Sequence, residues 1–227
     1  MEGCDIMKRT KLADRVLPTY TRGEEIFNMV SHIVGGVLGF LAIVLCSIFA
    51  KNAYGIVSGV IFGVTMLVLY TMSSIYHGLN PETKAKKVFQ VIDHCSIFIL
   101  IAGTYTPAVL CTLREADPIL GWSYFGIIWG LAVLGIALNA IDLKKFQVFS
   151  MICYLVMGWC IIAKIKLIIE LIGMTGFYLL LWGGIAYTLG AILYGIGSKK
   201  KWFHSVFHIF CVIGSILHFL FVLLYVV

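Results

Sequence analysis

Apolar residues run along this chain in long stretches separated by short polar breaks. A bilayer core about 30 Å thick is crossed by roughly 20 residues of helix, at a rise of about 1.5 Å each. Seven stretches approach or reach that length: about 26–50, 53–77, 88–113, 119–141, 146–163, 177–197 and 203–227. Their connections are short, so neighbouring helices are expected to be antiparallel. The fifth stretch is cut by Lys164 and Lys166, and the "LIIELIGMTG" that follows is expected to be an apolar loop at the interface. Pro107, in "AGTYTP", predicts a local kink in the third. The pattern predicts an all-α integral membrane protein: a seven-transmembrane helix bundle over residues 26–227, preceded by a short polar segment, residues 1–25.

Composition agrees. Hydrophobic residues make up 61% of the 227 and charged residues 12%, against roughly 45–50% and about 25% in a soluble domain. There are too few charges to cover a soluble surface. Thirteen of the seventeen Lys and Arg lie in residues 1–25, 78–87, 142–145 and 199–201, and four lie in the alternate loops. The positive-inside bias then puts the N-terminus in the cytoplasm and the C-terminus outside. The net charge of +6 reads as topology and headgroup contact, and no aromatic-interleaved basic patch suggests nucleic acid. Seven cysteines, an odd number lying mostly inside spans and without CxxC spacing, read as core residues rather than a disulfide framework.

Depth sorts the ionisable residues. Such groups inside a membrane are costly and mark candidate functional sites. Asp93 is the one acid inside an apolar run, roughly 9 Å from the cytoplasmic border. His77 ends the second span on that same side, and His204 and His208 follow Lys201 into the seventh. His204 and His208 are spaced i, i+4 and share one helical face, as do Ser73 and His77. A single histidine at a span end is ordinarily an interfacial residue. Three at one depth can hold a tetrahedral Zn²⁺ and leave its fourth position open, as in catalytic sites. Asp93 would take a proton from water, orient that water, or hold a ligand imidazole; it has Lys86 and Lys87 nearby as alternative partners. Ser73 would bond a polarised carbonyl oxygen, or only its own helix backbone. Glu25, Asn28 and His32 form a stripe entering the same leaflet, read as support behind the site or as a polar helix seam. His94 points about 100° away from Asp93, and His218 lies roughly 21 Å beyond His204, so neither joins the set.

The stretches "EEIFNMVSH", "SSIYH", "IDHCSIFILIAGTYTP" and "HSVFHIF", in order across the chain, resemble the hemolysin III family, the bacterial branch of the progestin and adiponectin-type receptors. The resemblance implies a seven-helix bundle in a bacterial plasma membrane with zinc near the cytoplasmic side. His77, His204 and His208 match the ligands; Asp93 and Ser73 match the accompanying acid and serine. The superfamily includes alkaline ceramidases, which implies hydrolysis of a membrane-lipid amide or ester. Two other classes compete: a sensor or regulator pinned by structural zinc, and a cytolytic pore. A pore needs a polar path across the bundle, whereas the polar groups here gather at one end. A haem carrier needs axial histidines from opposite sides of the ring, and His204 with His208 on one face cannot supply them.

Overall fold

Helix α1 begins where the sequence supplies a cap. In the computed structural model, which describes residues 9–12, 14–197 and 200–227, Thr21 and Glu24 form a capping box at the start of α1, Arg22–Phe49. Expectations for residues 1–8 and for Lys199 fall outside the described residues. Next come α2 (Ala53–Gly78), capped by Asn52, and α3 (Lys84–Ala108), capped by Thr83. Helix α3 runs through Pro107 into a π-helical turn, Val109–Leu113, so the expected kink takes that form. A single turn, α4 (Arg114–Ala116), precedes α5 (Pro118–Trp159). A 3₁₀ turn, Cys160–Lys164, leads into α6 (Ile165–Gly197), and α7 (Phe203–Tyr225) closes the chain.

Among the described residues, five helical stretches are long and apolar enough to cross a membrane. One of them, Pro118–Ile196, has 79 residues; straight, it would extend about 120 Å, several bilayer thicknesses. It is not straight. The backbone leaves the helix at Asp142 (φ −157°, ψ 93°) and again at Gly173 (φ +68°, ψ 171°), a left-handed turn that glycine makes without a Cβ clash. The segment "LIIELIGMTG" is helical on either side of the Gly173 break rather than the expected loop, and its Ile168 and Ile172 are buried in the core.

The polarity of α1 is inverted relative to a helix in water. Its buried face carries Glu24, Asn28, His32, Gly35, Gly39 and Ala42, and its exposed face carries Ile26, Val30, Ile33, Val37 and Phe40. An apolar solvent outside and small or polar residues inside are the expectation for a membrane helix. Small residues let the helices touch. A Cβ at Gly39 would meet the Leu67 backbone nitrogen at 2.7 Å, and one at Gly63 the Ile43 nitrogen at 2.6 Å, so α1 and α2 lie backbone to backbone. Helix α1 also packs on α7, α2 on α3, α3 on α5, and α6 on α7. Phe62, Met66, Tyr70, Phe98 and Phe221 fill the centre. All six described cysteines are free.

Candidate metal centre

Three imidazoles from two helices meet where α2 ends and α7 begins. His204 Nε2 lies 3.4 Å from His77 Nε2 and 3.1 Å from His208 Nε2. One ligand atom from each of the three lies within 4.8 Å of the other two. Tetrahedral ligands at about 2.0–2.1 Å from one ion sit about 3.3–3.4 Å apart. The three Nε2 atoms can therefore be shared by one metal ion with little movement. All three rings are buried.

The tautomer of His77 favours this use. Its Nδ1–H donates to Glu25 Oε2 at 2.6 Å, which leaves the Nε2 lone pair facing the other two rings. Glu25 is held in turn by the Lys86 ammonium, which donates to its Oε1 at 2.6 Å and to the Leu79 carbonyl at 3.1 Å. Lys86 is therefore engaged with Glu25, and the alternative that pairs it with Asp93 is not what the fold adopts.

Ser73 and Asp93 lie on the wall of a cavity of about 200 Å³ that also touches His204 and His208. The Ser73 hydroxyl, one turn deeper than His77, faces the Asp93 carboxylate. The cavity lining comes mainly from α3, α5, α6 and α7, includes Tyr187, His218, Trp159 and Phe177, and is predominantly apolar. His94 donates through Nδ1–H to the Gln90 carbonyl (2.8 Å), and its Nε2 accepts from the Tyr194 hydroxyl (3.0 Å), outside the cluster of three. His218 bonds across to the Leu180 carbonyl on α6 at 3.1 Å.

The stripe on α1 divides in role. Glu25 touches His77, as above. His32 stacks on His208 with ring centroids 3.7 Å apart, meets Tyr70 edge-on, and lines the cavity, with neither ring nitrogen hydrogen-bonded. Asn28 is fully buried between Glu25 and His32, and its side-chain atoms have no hydrogen-bond partner.

Three contributors lie outside the candidate site residues. Tyr20, just before α1, stacks on His204 at 4.8 Å and lies tilted to His77 at 5.8 Å; burial raises its phenol well above its ordinary value, so it stays neutral. Glu24, buried, accepts from the Trp202 backbone N–H at 2.6 Å and so ties the start of α1 to the start of α7. Trp202 holds a left-handed backbone (φ 67°), a conformation costing a non-glycine residue about 1–2 kcal/mol. The third is Lys86. Its only sequence signal is that Lys86, Gln90 and Asp93 share one helical face at i, i+4, i+7.

The comparisons with known proteins point one way. The family described as haemolysin-III related matches residues 20–219. The chain is 40% identical over 206 residues to "Hemolysin-3" of Bacillus cereus, covering 89% of this chain and 92% of that one. It is 41% identical over 211 residues to the "Hemolysin-3 homolog" of Bacillus subtilis (strain 168), covering 92% and 97%. A more distant likeness, 29% identity over 171 residues, joins it to "Heptahelical transmembrane protein 5" of Arabidopsis thaliana, across 65% of this chain and 44% of that protein. With the apolar helices and the inverted polarity of α1, these matches establish that the chain is a multi-pass membrane protein belonging to the haemolysin-III related family.

Proposed function

We propose that this protein is a zinc-dependent hydrolase of a membrane-lipid amide or ester, working at the cytoplasmic border of a bacterial plasma membrane. The observation that carries the reading is the meeting of three imidazole Nε2 atoms at the end of a mostly apolar cavity that also presents Asp93 and Ser73. The breaks at Asp142 and around Cys160–Gly173 support dividing the 79-residue stretch into three crossings. That makes seven spans, with the N-terminus cytoplasmic by the distribution of Lys and Arg.

His77, His204 and His208 would hold the ion, with Glu25 orienting His77. A zinc ion so held supplies Lewis acidity and makes hydroxide available near neutral pH. Asp93 accepts a proton from the attacking water at a carboxylate oxygen and returns it to the leaving group. Ser73 holds that carboxylate in place or donates to the carbonyl oxygen of the substrate. The apolar lining takes the hydrocarbon chain and excludes bulk water from the reacting carbonyl.

A second reading has its own observation. The His77–Glu25–Lys86 chain links α1, α2 and α3, and His204 adds α7, so a metal here would also fasten four helices in a non-catalytic regulator.

Elemental analysis of purified protein coupled to lipid turnover separates the two. The hydrolase reading expects one zinc per chain, its loss in His204→Ala and His208→Ala, and lipid cleavage that disappears in Asp93→Asn while zinc stays bound. Full zinc with an unchanged lipid profile leaves the structural role; absent zinc removes both.

A further inference from the structure

The N-terminal segment buries a cation that nothing among the described residues pairs. Arg15 is 8% exposed, and its Nε and Nη1 have no hydrogen-bond partner. Buried guanidinium groups are ordinarily paired, because removing the charge from water without a partner is costly. The acid acting on Arg15 is Asp142, at the break in α5. Both of its oxygens are already engaged. Oδ2 accepts from the Thr10 backbone N–H at 2.8 Å, and Oδ1 from the Lys145 N–H at 3.1 Å, capping the helix that restarts there. No ion pair joins Arg15 to an acid among the described residues. Burial lowers its basicity, and Arg9 acts in the same direction. Arg9 itself is exposed beside it and donates through Nη2 to the Ala140 carbonyl at 3.2 Å, so two guanidinium groups gather at this break.

Its surroundings say where a partner comes from. Leu12 and Val16 flank Arg15 on the same segment and are 38% and 84% exposed. Across the break, Ile141, Val148 and Phe149 are exposed as well, with Lys144 and Lys145 among them. Apolar side chains turned outward beside cations mark a segment lying in the headgroup layer, its apolar residues toward the acyl chains and its charges level with phosphate.

We propose that Arg15, assisted by Arg9, is a binding site for the phosphate of a phospholipid in the adjoining leaflet, formed where the N-terminal segment crosses the Asp142 break of α5. The guanidinium fork matches phosphate oxygens, and its two unpartnered N–H groups supply the donors. The site rests on the chain spanning a membrane and is independent of the hydrolase reading.

The test uses the full chain in a maltoside detergent free of phosphate, titrated with phosphatidylglycerol, with diacylglycerol, or with inorganic phosphate, and read by native mass spectrometry and thermal unfolding. Phosphatidylglycerol should bind and raise the unfolding midpoint. Arg15→Gln should weaken that binding about tenfold, the loss of a charge-assisted pair, and Lys200→Gln should leave it unchanged. Zinc content is measured alongside and should match the wild type. Arg15→Lys, which keeps the charge and loses the fork, should bind with intermediate affinity, and it carries the test if Arg15→Gln does not fold. Equal binding of diacylglycerol overturns the phosphate. Equal stabilisation by inorganic phosphate overturns the lipid. No response to any of the three overturns the site.

Discussion

Substituting Glu25 by Gln separates two roles that one carboxylate performs. Oε1 neutralises Lys86, whose side chain is 1% exposed, and Oε2 accepts from His77. Gln keeps the shape and one acceptor but no charge. The Lys86 ammonium would keep only the Leu79 carbonyl at 3.1 Å. Breaking a buried pair by removing one partner costs several kcal/mol; with Glu25 14% exposed, we take the low end, about 3 kcal/mol. For a chain of this length that is a fall in unfolding midpoint of about 6–12 °C. Metal affinity should respond differently. The Gln carbonyl can still accept from His77 Nδ1–H, so affinity should drop about tenfold in Glu25→Gln and about a hundredfold in Glu25→Ala. Adding Lys86→Met to Glu25→Gln removes the stranded charge and should restore most of the midpoint without restoring metal affinity. Thermal unfolding in detergent and competition with a chelator measure the two quantities. The reasoning fails if Glu25→Gln leaves both unchanged, or if Lys86→Met restores metal binding together with stability.

Three further outcomes follow from the geometry. His204→Ala and His208→Ala should each abolish stoichiometric metal by elemental analysis, because two imidazoles leave the ion without a third protein ligand. Tyr20→Ala removes the ring stacked on His204; it should cost about 0.5–1.5 kcal/mol of stability and speed metal loss to a chelator in stopped flow. Gly39→Val should place side-chain atoms inside the Leu67 backbone contact and lower stability by about 1–3 kcal/mol or more, whereas Gly126→Ala, at an open position inside α5, should raise it by about 0.5–1 kcal/mol.

Helices that carry their own signal were legible in the sequence. The apolar runs give α1, α2 and α3 near their expected places, and the structure adds their caps at Thr21, Asn52 and Thr83. The i, i+4 pairs at Ser73–His77 and His204–His208 required only helical periodicity to share a face. What stayed hidden depends on side-chain reach or on tertiary partners. Lys86 lies seven residues from Asp93 on one face, yet its flexible stem carries the ammonium across to Glu25 on α1. The 165–172 stretch holds Lys166 and Glu170 on an otherwise apolar background, and the polar residues suggested a loop where packing of Ile168 and Ile172 sustains a helix. Tyr20, Glu24 and Arg15 sit in or beside a polar tail with no periodicity, so nothing local marked them as buried.

Helix α1 supplies none of the three imidazoles, yet it organises the candidate centre. Along one face of α1, Glu24 fixes the Trp202 backbone, Glu25 orients His77 and neutralises Lys86, and His32 stacks on His208. Those contacts run in order from the N-terminal end of α1 onward, over about 12 Å of helix. They reach α2, α3 and α7, the helices bearing Ser73, His77, Asp93, His204 and His208. In water such a face would be solvated and loosely held. In a bilayer the lipid-facing side of α1 must be apolar, so its polar residues turn inward. Inside, they need partners, and the imidazoles and backbone of the neighbouring helices provide them. Asn28 and His32 keep unpartnered side-chain donors and acceptors within this same face, and His32 lines the cavity beside His208. The solvent that makes a buried polar stripe costly is also what places it where a metal centre can use it.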